Sequence, residues 1–101
     1  MGLKKDSKIL INTQKKPTDF PFSKKYNVAT VDATGIAMKH DILVGGIPVV
    51  NTTMLGAVPR ILDRVELKSI QEIIRKKWKG EQGEVNVKAT KDAYEDVEVN
   101  F

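Results

Sequence analysis

Three consecutive polar residues, Asn51-Thr52-Thr53, stand between the apolar run IPVV (47–50) and the stretch MLGAV (54–58). Side chains of these types both donate and accept hydrogen bonds. At the carboxyl end of a strand they would lie where open α/β sheets gather ligands. A helix starting there adds unpaired backbone N–H groups. The same residue types are also ordinary helix caps. A cap and a contact with a ligand or neighbouring subunit both fit the stretch.

The remaining chemistry-bearing residues are few. His40 is the only histidine, which excludes a multi-histidine metal site within this chain. Near a helix end it reads as a surface or C-terminal cation rather than a proton shuttle. Asp32, at the end of a strand pattern, reads as a helix cap rather than an acid or base. Cysteine is absent, so disulfides, thiolate metal sites and a cysteine nucleophile are excluded. The sequence has no GxxxxGK[ST] loop, no GxGxxG fingerprint and no GxSxG elbow. Gly45-Gly46 reads as a turn, not a phosphate cradle. The expectation is a chain with no catalytic residue and no metal ligand of its own.

The elements that would position the Asn51 corner follow from periodicity. KILIN (8–12) fits a short buried strand, and TQKKPTDFPFSKK (13–25) a loop broken by Pro17 and Pro21. Phe20 and Phe22 are expected to tuck back onto the domain. NVATVDA (27–33) reads as a second strand, with Asp32 or Thr34 capping a helix through residues 34–42. IPVVN (47–51) reads as a third strand, and Thr52 or Thr53 as the cap of a helix MLGAVPRIL (54–62). Gly56, one turn into that helix, suggests a close backbone approach, and Pro59 a first-turn position or a kink. ELKSIQEIIRKKWK (66–79) is an amphipathic helix with Leu67, Ile70, Ile73, Ile74 and Trp78 on its core face. GEVNVKATKDAYEDVEV (83–99) reads as a further helix beginning near Glu84, whose end, VEVNF, alternates and fits a strand equally well. The pattern predicts an α/β fold: a partial three-layer α/β/α domain with a small, mostly parallel sheet and C-terminal helices. About three strands are too few for a parallel sheet covered on both faces. The chain therefore reads as part of a domain.

Composition bounds the rest. The chain has 101 residues, with 41% hydrophobic and 30% charged, which fits one small globular domain. The formal net charge is +4, with lysines at 4, 5, 8, 15, 16, 24 and 25. Without aromatic residues interleaved for base stacking, this is a solvated lysine-rich surface, and no nucleic-acid partner is expected. No apolar run approaches the roughly 20 residues that span a bilayer, so no membrane partner is expected either. The start, MGLKKDSKILIN, lacks the apolar segment of a signal peptide, which makes a cytoplasmic location the expectation.

Four strings in order give the sequence a family resemblance: VDATGIA (31–37), PVVNTTMLGAV (48–58), VELKSIQEIIRKKW (65–78) and GEVNVKATKDAYE (83–95). Together they resemble the gamma subunit or domain of 2-oxoacid:ferredoxin oxidoreductases, of the pyruvate and 2-ketoisovalerate type. LKKDSKILIN (3–12) is similar to the family strand that precedes this half. The family's gamma domain runs nearly twice this length and carries a glycine-rich GxGGQG stretch in its N-terminal half. Nothing of that kind occurs here, so residues 1–101 resemble the C-terminal half as a single domain.

The resemblance implies a role. These enzymes oxidatively decarboxylate a 2-oxoacid to an acyl-CoA and reduce ferredoxin, using thiamine diphosphate, iron–sulfur clusters and coenzyme A. The thiamine site and the cluster cysteines lie mainly in other subunits. By this resemblance the chain is a non-catalytic structural or assembly piece, inactive alone, binding no cofactor by itself. Its partners are the thiamine-binding and iron–sulfur subunits, with ferredoxin as the acceptor of the complex. Asn51, Thr52, Thr53 and Met54 match the family's NTxM segment and are the expected interface or ligand-facing loop. The alternative from the residues alone is an independent small α/β binding module, a homodimer covering its own open sheet.

Overall fold

A computed structural model describes residues 8–101, so Lys4, Lys5 and the start of the LKKDSKILIN string lie outside the described residues. Strand β1 (Lys8–Asn12) runs parallel to β2 (Asn27–Val31), in register from Lys8 with Asn27 to Asn12 with Val31. A parallel pair needs a crossover of a dozen or more residues. Residues 13–26 provide it without an α-helix. Pro17 and Pro21 each open a short 3-10 turn, Pro17–Asp19 and Pro21–Lys24, where a missing N–H costs nothing. Phe20 and Phe22 stack on each other with ring centroids 5.3 Å apart, and Phe22 keeps 37% of its surface exposed.

Helix α1 (Ala33–Lys39) follows β2 and is capped by Asp32, whose carboxylate accepts the Gly35 N–H at 2.9 Å. The expected third strand of the sheet does not form. Strands β3 (Leu43–Val44) and β4 (Ile47–Pro48) instead make a separate antiparallel hairpin, pairing Leu43 with Pro48 and Val44 with Ile47. Two features explain it. Pro48 has no N–H to give a central ladder. Gly45 and Gly46 take φ of 59° and 80°, the left-handed pair that a two-residue hairpin turn requires.

Helix α2 (Asn51–Leu55) ends early, and Val58–Arg60 continues as a 3-10 turn that Pro59 helps to open. Helix α3 (Leu67–Lys77) and helix α4 (Glu81–Asp96) are long, and β5 (Glu98–Val99) returns antiparallel to β2. The alternating VEVNF tail is therefore a strand, and the sheet order is β1-β2-β5. Asn100 locks it: its Oδ1 accepts the Val28 N–H at 2.7 Å, and its Nδ2 donates to the Ser23 and Tyr26 carbonyls at 2.9 and 3.2 Å.

The main core lies on one face of the sheet. Ala29 and Val31 of β2 meet Ala33 and Ile36 of α1, Ala57, Ile61, and Ala89 and Ala93 of α4. Alanine at these positions lets the helices approach closely. Val28 and Thr30, which point to the other face by strand alternation, are also buried. The first 3-10 turn packs against β2, and Pro17 within it is buried. A second cluster joins Ile70 and Ile74 of α3 to Val87 of α4, with Trp78 against it. The α3 stripe is thus core, as its spacing predicts, except that Ile73 stays 64% exposed. The architecture is α/β with a small, mostly parallel sheet and C-terminal helices.

Candidate functional site

The Asn51–Met54 corner is the first turn of α2, neither a loop nor a cap. The N-cap is Val50, already near helical geometry at φ −106° and ψ −10°, and no side chain caps the helix. Thr52 and Thr53 lie inside the turn, so the capping role expected of them is not what they do. The four side chains diverge. Asn51 is exposed, Thr52 is half-buried on the wall of a groove, and Met54 packs against the main core. Thr53 is fully buried, and its hydroxyl has no hydrogen-bond partner among the described residues. A buried hydroxyl left unpaired costs about 1–3 kcal/mol.

Gly56 accounts for the local packing. A Cβ there would run into the main chain of Thr90, about 2.5 Å from its Cα and against its carbonyl oxygen. Helix α2 therefore lies directly on the backbone of α4, as the glycine suggested. Thr90 is itself fully buried and donates its hydroxyl to the Val87 carbonyl at 2.6 Å.

Two grooves flank this packing. One, of about 500 Å³, opens between the β3–β4 hairpin and the start of α4, with Thr52, Trp78 and Val85 among its walls. The other, of about 440 Å³, lies at the carboxyl ends of β1 and β2, where α/β sheets gather ligands. Its walls carry Lys15, Lys16, Asp32, Lys39, Asp92 and Asp96. Sequence reasoning looked for the strand-end site at Asn51 and missed this one. The available signal was that Asn12 ends one true strand and Asp32 follows the other.

Beside the strand-end groove, the first turn and the end of α1 are held by side chains. Asn12 Oδ1 accepts the Ala33 and Thr34 N–H groups at 2.9 and 3.3 Å, and its Nδ2 donates to the Thr34 hydroxyl at 2.9 Å. With Asp32 on Gly35, the free N–H groups of the α1 first turn are consumed. His40 Nε2 lies 2.6 Å from Asp92 Oδ2, and Lys39 Nζ lies 3.4 Å from the same oxygen. Partial burial pushes the Asp92 carboxyl up, but the hydrogen bonds from His40 and Lys39 together outweigh it and leave the group below the ordinary carboxylate range. His40 stands at the C-cap of α1, the helix-end position expected of it, and ties that end to α4 rather than standing free on the surface. Between α3 and α4, the Arg75 hydrogen bond to Glu84 at 2.8 Å lowers the glutamate and raises the guanidinium.

Neither groove fits the cofactors that the resemblance brings in. Iron–sulfur clusters are held by cysteine thiolates, and the sequence has none. Among the described residues no group of three metal-ligating side chains comes together. A diphosphate at the strand ends would meet Lys15, Lys16 and Lys39, but also four carboxylates, Asp32, Asp92, Asp96 and Glu98, with Lys39 already on Asp92 and the α1 N–H groups already taken.

A family model described as pyruvate ferredoxin/flavodoxin oxidoreductase matches residues 1–96. The pyruvate synthase subunit PorC of Methanocaldococcus jannaschii is 42% identical over 96 residues, covering 95% of this chain and 49% of that protein. The common gamma subunit of the pyruvate/ketoisovalerate oxidoreductases of Pyrococcus furiosus is 41% identical over 101 residues, covering 97% of this chain and 52% of its own length. The crystal structure of the pyruvate oxidoreductase subunit PORC of Thermotoga maritima matches with a TM-score of 0.79 and 33% identity, over 99% of this chain and 56% of that one. The chain spans about half the length of the curated relatives it matches.

Proposed function

The chain belongs to the pyruvate ferredoxin/flavodoxin oxidoreductase family, and from that membership we propose that it is a non-catalytic assembly piece of a 2-oxoacid:ferredoxin oxidoreductase. The observation that carries the reading is the likeness, in sequence and in fold, to gamma-type subunits across nearly the whole chain. The complex would convert pyruvate or 2-ketoisovalerate to its acyl-CoA and pass the electrons to ferredoxin. Thiamine diphosphate, iron–sulfur clusters and coenzyme A would be held by other subunits, since the residues here fit none of the metal or diphosphate groups. The reading places the complex in the cytoplasm; no helix among the described residues is long and apolar enough to cross a membrane.

The chain corresponds, on this reading, to the C-terminal half of a gamma-type domain. Its parallel pair is bounded on one side by β1, an edge strand among the described residues, and β1 is only half-buried along Ile9, Leu10 and Ile11. Asn51 and Thr52, the outward members of the NTTM stretch, face a neighbouring subunit, while Thr53 and Met54 hold that turn in place. The test is affinity purification under anaerobic native conditions. Thiamine-binding and iron–sulfur subunits should come down with the chain. A chain recovered without them, as a stable monomer or homodimer by light scattering, refutes the reading.

A further inference from the structure

The groove beside the β3–β4 hairpin differs chemically from the rest of the surface. The chain carries 17 Lys and Arg against 13 Asp and Glu, yet the charged residues on this groove's walls are Asp41 and Glu81, with the His40 ring beside them. Neither acid belongs to an ion pair among the described residues. The hairpin adds an apolar rim: Val44 is 70% and Ile47 69% exposed. Trp78 and Val85 supply an apolar wall.

The rim is preformed. Its turn is fixed by the two left-handed glycines, and Asp41 at its root also takes a positive φ of 56°. Backbone bonds hold the base, from Ile42 N–H to the Ala37 carbonyl at 2.8 Å and from Val49 N–H to the Ile42 carbonyl at 3.0 Å. A surface of this kind selects a side chain that is aliphatic along its stem and cationic at its tip. Lysine and arginine have that form; the Trp78 indole already carries one such cation, Lys77 Nζ 4.8 Å from its ring centroid.

We propose that this groove docks a segment of another subunit of the complex, one that presents a lysine or arginine between apolar side chains. The basic tip meets Asp41 and Glu81, and the apolar neighbours cover Val44 and Ile47. The proposal rests on the subunit reading above and adds where on the chain a partner binds and with what chemistry.

The experiment is photo-crosslinking in the anaerobically purified native complex, with p-benzoylphenylalanine in place of Val44 and, as a separate control, in place of Phe22. The expected result is a Val44 crosslink to another subunit, with a lysine or arginine within a few residues of the crosslinked peptide position. The paired variant Asp41→Asn with Glu81→Gln keeps side-chain shape, and asparagine tolerates the left-handed backbone of position 41. It should weaken association about tenfold and flatten its dependence on salt. A Val44 crosslink to a second copy of this chain, or to an acidic segment, overturns the proposal. So does unchanged affinity in the paired variant. A complex that assembles without a Val44 crosslink overturns the docking site and leaves the subunit reading standing. A chain that joins no complex overturns both.

Discussion

Replacing Gly56 with alanine sets two effects of opposite sign against each other. Inside a helix alanine is better than glycine by about 1 kcal/mol; Gly56 is the C-cap of α2, so alanine there gains at most part of that, and the backbone, at φ −64° and ψ −25°, accepts it without strain. Packing argues the other way. The new Cβ would stand 2.5 Å from Thr90 Cα and 2.6 Å from its carbonyl carbon. These are main-chain atoms of α4, so no side chain can swing aside. Carbon atoms pack at roughly 3.5–4.0 Å, and α2 must therefore retreat by about an ångström or more. That retreat loosens Thr53 and Ala57, both fully buried. Overpacking of this kind costs about 1–3 kcal/mol, and a clash with backbone on both sides belongs at or beyond the upper end. After the helix gain the net loss is about 2 kcal/mol, which lowers the Tm of a domain this size by roughly 8–16 °C. Thermal and urea unfolding followed by circular dichroism measure it. A Gly56→Ala protein as stable as its parent, or more so, would show that α2 and α4 do not meet at their backbones, and the account of this corner would fall.

Thr53→Val replaces an unpaired buried hydroxyl with a methyl of the same shape, and should leave stability unchanged or raise it by up to about 1 kcal/mol; a loss in urea unfolding would reveal a partner for that hydroxyl. Asp92 has a depressed pKa in the folded state, so its stabilising contribution is complete above its unfolded value near ~3.9 and disappears as pH falls through the lower folded value. Asp92→Asn should therefore be less stable than the parent near neutral pH, by about 0.5–1 kcal/mol for a pair this near the surface. Unfolding midpoints across pH 2 to 7 should show that gap closing at the acid end, and a gap that persists to pH 2 contradicts the Lys39–His40–Asp92 cluster as its source.

Much of the fold is legible in the sequence because short-range physics decides it. The isoleucine-rich KILIN and the β-branched NVATV form the parallel strands. The 3.6-residue stripe of α3 buries Ile70 and Ile74. Gly45-Gly46 makes the turn it was read as. The failures come where two local signals compete. IPVVN has strand composition, but Pro48 and the preceding glycine pair fold it back on Leu43–Val44 before it can reach the sheet. Asn-Thr-Thr has cap composition, but Val50 turns helical first and takes the capping position. The strand-end groove was legible only from tertiary placement, since Asp92 and Asp96 arrive from a helix some sixty residues after Asp32.

The strings that carry the family resemblance meet in space, and where they meet explains what the resemblance reads. NTTMLGA contributes Thr53, Gly56 and Ala57, all buried. GEVNVKAT contributes Gly83, whose missing side chain makes room for the Trp78 carbonyl, then Val87, Ala89 and Thr90. Gly56 rests on Thr90. The two strings are thus the two sides of the α2–α4 contact, with α3 closed against α4 at Val87 and Trp78. Small residues, a buried threonine and a glycine against main chain are what such a contact demands. In these strings the resemblance therefore reads how the helices pack. The contact that makes the chain recognisable thus lies between the two grooves, the charged one at the strand ends and the acidic, apolar-rimmed one beside the hairpin, and forms no wall of a catalytic cluster among the described residues.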